Sequence, residues 1–130
     1  MRILLPAGWP RPRGYSNGVA VRGEMVFVAG QVGWDVNGTF PSATIGGQVR
    51  LALENVVAVL REAGAKPEHI VRMTWYVTDR DAYMQATAEI GAAFREIIGS
   101  YNAAMSAVEV SALMERDALV EIEVTAVIPD

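Results

Sequence analysis

Residues 101–127 read YNAAMSAVEVSALMERDALVEIEVTAV: two β-like runs on either side of the polar break MERDA. In a strand, successive side chains point to opposite faces. The second run therefore sorts into Val120, Ile122, Val124, Ala126 and Ile128 on one face, and Leu119, Glu121, Glu123, Thr125 and Val127 on the other. The first set is uniformly apolar and is expected to face helices. The second mixes large apolar groups with carboxylates. Met105, Ala107, Glu109, Ser111 and Leu113 in the preceding run are expected to share that mixed face. Such a composition suits contact between subunits better than a face washed by solvent.

Upstream of this pair, IVRMTWYVT (70–78) is a strand by its β-branched and aromatic content. Thr78 or Asp79 is placed to cap a following helix, whose stripe is Tyr83, Ala86, Ile90, Phe94 and Ile97 and whose end is Gly99. An earlier helix carries Ile45, Val49, Leu53, Val56 and Leu60 at helical spacing and stops at Gly64. Before it, NGVAVRGEMVFVAGQVGW (17–34) shows two β-rich runs joined at Arg22-Gly23-Glu24, which reads as a hairpin. Gly30 interrupts the second of these runs, where a missing side chain allows close approach. The expected order is β-β-α-β-α-β-β, an α+β arrangement in one domain spanning residues 1–130. The strand–helix–strand crossover makes part of the sheet parallel, and right-handed crossovers put both helices on the same side. The other face is left for solvent or another subunit.

Composition narrows the functional classes. Of the 130 residues, 52% are hydrophobic and 20% charged, an apolar surplus that favours a partner subunit. A net charge of -4 with no basic run argues against nucleic acid. With no cysteine and a single histidine, His69, the chain has neither a disulfide, a thiolate nucleophile nor a metal-ligand set of the usual kind. The apolar stretches are too short to span a membrane, and MRILLPAGWPRPRG (1–14) is too short and proline-rich for a signal peptide. A soluble cytoplasmic protein is the expectation.

Six segments in order, GYSNGV (14–19), VFVAGQVG (26–33), QVRLALENVVAVLREAGA (48–65), IVRMTWYVTD (70–79), SAVEVSAL (106–113) and VEIEVTAV (120–127), resemble the reactive-intermediate deaminase (Rid, YjgF-type) family over nearly the whole chain. The resemblance implies a chorismate-mutase-like fold and a homotrimer with a small-molecule cleft at each subunit junction. It also implies hydrolysis of enamines and imines of 2-oxo acids without metal or organic cofactor. In that pattern Glu121 matches a water-orienting glutamate, Tyr15 a pocket tyrosine and Gly30 a glycine whose backbone contacts substrate. The arginine that binds the substrate carboxylate is replaced by Met105. Two places on, Ala107 stands where cysteine is frequent, and Ala29 stands where serine often precedes the pocket glycine. A thioether cannot donate to a carboxylate, so the ligand is expected to be more neutral or differently placed.

Each of these residues also has a plainer reading. Glu121 is either a general base that holds water or an interface carboxylate. Glu109 and Glu123 are read as structural. Tyr15 is a ligand contact or a packing anchor, and Met105 a pocket wall or a core filler. Trp34 sits in a loop, where it stacks on a ligand or caps an interface, whereas Trp75 belongs to packing. Arg22, Arg50 and Arg116 are candidate replacements for the missing arginine, each more simply a surface residue; His69 is given no chemistry. Three functions follow: a hydrolase for C=N bonds, a binding trimer without turnover, and a structural or chaperone-like trimer. RNA cleavage is the weakest reading.

Overall fold

The computed structural model describes residues 1–100 and 102–130. Six strands and three α-helices follow in the order β1 (Arg2–Leu4), β2 (Gly18–Ala20), β3 (Glu24–Val32), α1 (Ile45–Glu62), β4 (Ile70–Val77), α2 (Arg80–Gln85), α3 (Thr87–Ile97), β5 (Ala104–Glu109) and β6 (Val120–Ile128). A 3-10 turn, Pro67–His69, leads into β4. Strands β3, β6, β4 and β5 form one mixed sheet in that spatial order. The β3–β6 and β6–β4 pairs are antiparallel, and the β4–β5 pair, linked through α2 and α3, is parallel.

The helices begin and end where side-chain chemistry satisfies their free backbone groups. Thr44 accepts a hydrogen bond from the Gly47 amide at the start of α1, and Asp79 accepts from Ala82 at the start of α2. Gly64, at φ +73°, closes α1 in a left-handed conformation that glycine adopts at little cost. Ile45, Val49, Leu53, Val56 and Leu60 of α1 are all buried, as the helical spacing predicts. They pack with Ile90 and Phe94 of α3 on Met73, Trp75, Ile122 and Val124 of the sheet. Trp75, 2% exposed, is the largest fully buried side chain and stacks on Phe94 at a centroid distance of 6.3 Å. Helices and core thus lie on one face, and the apolar set of β6 faces them. His69 closes the 3-10 turn by accepting from the Lys66 amide through Nδ1 at 2.9 Å.

Three expectations are corrected. The runs around Arg22-Gly23-Glu24 do not form a hairpin. β2 pairs instead with β1 of the N-terminal arm, in a separate two-stranded sheet, while β3 pairs with β6. A Cβ on Gly23 would collide with the Ile128 carbonyl, so the chain passes tightly over the end of β6 and the short β2 is carried away from β3. The second helix is divided into α2 and α3 around Ala86. There the Thr87 hydroxyl donates to the Met84 carbonyl at 3.1 Å and competes with a backbone donor. Finally, Met105, Ala107 and Glu109 do not share a face with Glu121 and Glu123. β5 pairs in parallel with β4, so that Met105, Ala107 and Glu109 stand in register with Met73, Trp75 and Val77 on the helix side. Ser111 and Leu113 lie beyond the end of β5.

Candidate functional site

The open face of the sheet carries its polar groups along two neighbouring strands. Tyr76 is paired with Glu121, Thr74 with Glu123, and Arg72 with Thr125. A register shift at Ile70–Arg72 lets two buried residues, Ile70 and Val71, precede Arg72. The Tyr76 hydroxyl donates to Glu123 Oε1 at 2.6 Å. That hydrogen bond, followed by desolvation and the negative charges of Glu123 and Glu121, raises the phenol pKa above its ordinary value, while Arg72 acts in the opposite sense. Phe27, Ala29, Arg72, Thr74, Glu123 and Thr125 surround a shallow recess of about 440 Å³ on this face.

Glu121 and Gly30 meet at one end of the same face. Between Val28 and Gln31 the β3–β6 ladder slips by one residue, a bulge that takes Ala29 and Gly30 out of register. An ideal Cβ built on Gly30 would stand 2.5 Å from Glu121 Oε2. Only glycine leaves room for the carboxylate in its present place, and the two residues singled out separately along the sequence are therefore neighbours.

The other expected contacts lie elsewhere in the chain. Met105 is partly buried and packs against the helix-side core, and Ala107 is exposed on the outer strand β5. Tyr15, 40% exposed, belongs to the N-terminal arm, whose next residue, Ser16, is anchored to β5 by its amide donating to the Ala103 carbonyl at 3.0 Å. The chain therefore presents two groups of candidates: Glu121 with Gly30 on the open face, and Tyr15, Met105 and Ala107 around the β5 edge. β4 separates the strands that carry them. Glu109 accepts from the Arg80 amide at 2.7 Å and so caps α2, a structural role.

Trp34 is half-buried beside Phe40, with ring centroids 6.1 Å apart, and its carbonyl accepts from Asn55. Of the three arginines considered, Arg50 is held by Glu96 at 2.9 Å on the helices. Arg22 borders a depression near the C-terminus, and Arg116 borders one of about 690 Å³ between the loops before α1 and before β6. Arg72 and Tyr76 were missed by the sequence reading. Strand alternation carries the signal: with Met73, Trp75 and Val77 assigned to the core, Arg72, Thr74 and Tyr76 must share the face of Glu121. Among the described residues no cluster of three histidine, aspartate or glutamate side chains is placed to hold a metal ion, and no helix is long and apolar enough to cross a membrane.

Comparison with known proteins decides the family. The model for the family described as endoribonuclease L-PSP matches residues 10–128. The chain belongs to this family, of the Rid (YjgF) type. This Rid protein is 36% identical over 119 residues to a RutC family protein of Pyrococcus abyssi, covering 90% of this chain and 89% of the relative. It is 35% identical over 113 residues to the 2-iminobutanoate/2-iminopropanoate deaminase of Salmonella typhimurium, covering 87% and 86% of the two chains. Its fold matches that of a solved Rid family protein, YyfB of Yersinia pestis, with a TM-score of 0.85, 32% identity and 98% coverage of each chain.

Proposed function

We propose that this Rid protein hydrolyses the C=N bond of an imine, an enamine tautomer or a related small reactive metabolite, without a cofactor, in clefts between the subunits of a homotrimer. The observation that carries the reading is the apposition of Glu121 and Gly30 at the β3 bulge. A carboxylate beside exposed backbone is suited to accept a proton from water. The water oxygen would attack the imine carbon while its proton passes to Glu121. That proton would then pass to nitrogen, the second water proton, now on the hydroxyl, would follow by the same route as the C–N bond breaks, and ammonia and a carbonyl product would leave.

Two features support an assembly of this kind. Met25 and Phe27 at one edge of the sheet, exposed at 59% and 69%, and Val108 at the other, exposed at 45%, are large apolar side chains that neighbouring copies would cover. The candidate residues also fall in two groups on different parts of one chain, and a second copy would bring Glu121 and Gly30 of one subunit against Tyr15, Met105 and Ala107 of the next. Residues 1–130 would act as one domain in each copy, in the cytoplasm. The relationship to a named imine deaminase supports the same chemistry.

A second reading, a binding trimer without turnover, is favoured by Met105, which supplies no charge for a substrate carboxylate. A coupled assay separates the two: 2-iminopropanoate and 2-iminobutanoate are generated in place from amino acids, and ammonia release is followed with the native protein and Glu121→Gln. Acceleration by the native protein and its loss in the variant support the hydrolase. Saturable binding of small ligands with no acceleration would support the binder instead.

A further inference from the structure

The segment between β1 and β2 is closed at both ends. Arg2–Leu4 pair with Gly18–Ala20, and Ser16 is bridged to Ala104 at the start of β5. Under this loop lies a cavity of about 430 Å³, within the usual range for small-molecule sites. Among the described residues its polar lining is Arg11, Tyr15, Ser16, Asn17 and Asn102, with no aspartate or glutamate. Ile3, Leu4 and Leu5 provide an apolar wall. A guanidinium, two amides and a phenol, all able to donate hydrogen bonds, together with an absence of negative charge, make an environment for an anion.

Arg11 is also well placed to act. It sits between Pro10 and Pro12, whose rings fix their own backbone and restrict Arg11 to extended conformations. Gly14, at φ +81°, then turns the chain, and Ser16 two residues on reaches the start of β5. The ion pairs found among the described residues are Arg50–Glu96 and Arg80–Asp81, and neither involves Arg11.

We infer that Arg11 is the anion clamp of this protein: the cavity beneath the N-terminal arm binds a small carboxylate with a short apolar tail, held by the Arg11 guanidinium with Tyr15, Asn17 and Asn102 beside it. The positive charge missing at Met105 is supplied from the arm, next to the start of β5. The inference deepens the hydrolase reading by naming what holds the substrate carboxylate, yet its binding test requires no turnover.

The test is calorimetric titration of the native full-length protein, Arg11→Ala and Arg13→Ala with 2-oxobutanoate and with its uncharged analogue 2-oxobutanamide. Arg13 is a second cation of the same arm that does not line the cavity. Native protein and Arg13→Ala are expected to bind the acid saturably and in preference to the amide. Arg11→Ala should weaken acid binding by about 10- to 100-fold and abolish that preference, the usual effect of removing a charge-assisted clamp. Equal affinity of native protein and Arg11→Ala, equal losses in both arginine variants, or no saturable binding of the acid by native protein would each overturn it. The hydrolase reading is judged apart. If imines are hydrolysed with a KM that Arg11→Ala leaves unchanged, the hydrolase stands and the clamp falls; if the acid binds through Arg11 and no imine is hydrolysed, the reverse holds.

Discussion

Replacing Gly30 with alanine tests whether the position of the Glu121 carboxylate matters. The new Cβ would lie 2.5 Å from Oε2, 2.6 Å from Cδ and 2.8 Å from Cγ of Glu121, where ordinary contact begins at 3.4 Å. The carboxylate must therefore withdraw by about 0.9 Å, the difference between 3.4 and 2.5 Å. It is the free end of a side chain on the open face, so the fold yields at small cost. Overpacking costs about 1 kcal/mol at the low end of its range, and the smaller entropy of the unfolded alanine chain returns about 0.4–1 kcal/mol. Stability should change by no more than about 1 kcal/mol, or roughly 4 °C in Tm. Activity should suffer far more, because a misplacement of about 1 Å can cost on the order of 100-fold. Steady-state imine hydrolysis should show kcat/KM for Gly30→Ala reduced by about 10- to 100-fold with the melting curve little moved. Adding Glu121→Ala removes the collision, so the stability cost of Gly30→Ala should differ between the two backgrounds by about 1 kcal/mol. Full activity in Gly30→Ala would refute the argument that this carboxylate must stand where it does, and strict additivity would refute the contact itself.

Gln48, 1% exposed, donates to the Ser42 and Asp117 carbonyls and accepts from the Leu119 amide at 2.7 Å, joining the loop before α1 to the loop before β6. Gln48→Leu leaves those backbone groups without a partner and should lower stability by about 2–4 kcal/mol, read from urea unfolding. Tyr76 holds its proton to higher pH than a free phenol because it donates to Glu123. Its pKa being raised on folding, the contribution to stability is complete below about pH 10 and is lost as pH rises through the folded value. Tyr76→Phe should remove one late-ionising phenol from the ultraviolet titration and flatten the loss of stability above about pH 10, while loss of a phenol that ionises in the ordinary range would count against the hydrogen bond. Phe27→Asp places a charge beside Met25 on the open face and should shift light scattering from the proposed trimer towards monomer, with the helix-side core intact; an assembly that persists would move the proposed interface elsewhere.

Repetition in the sequence was enough to determine the elements that form the core. The stripe on α1 and the alternation of β6 each bury one set of residues whatever lies opposite, because a helix or strand in water must hide its apolar side. Glu121 and Gly30 were also legible, the first as a carboxylate in an apolar strand and the second as a break in another. Sequence could not reveal that they touch, since this depends on a one-residue bulge in the pairing of β3 with β6. Nor could it decide which strand lies beside which. Alternation gives each strand two faces but not a neighbour, so β2 was assigned to β3 instead of β1, and Met105 to the face of Glu121 instead of the face of Met73. The same limit hid Arg11, a charge in a proline-rich arm with no periodic pattern around it. Only the tertiary structure, by tying both ends of that arm to strands, brings Arg11 and Tyr15 to one cavity.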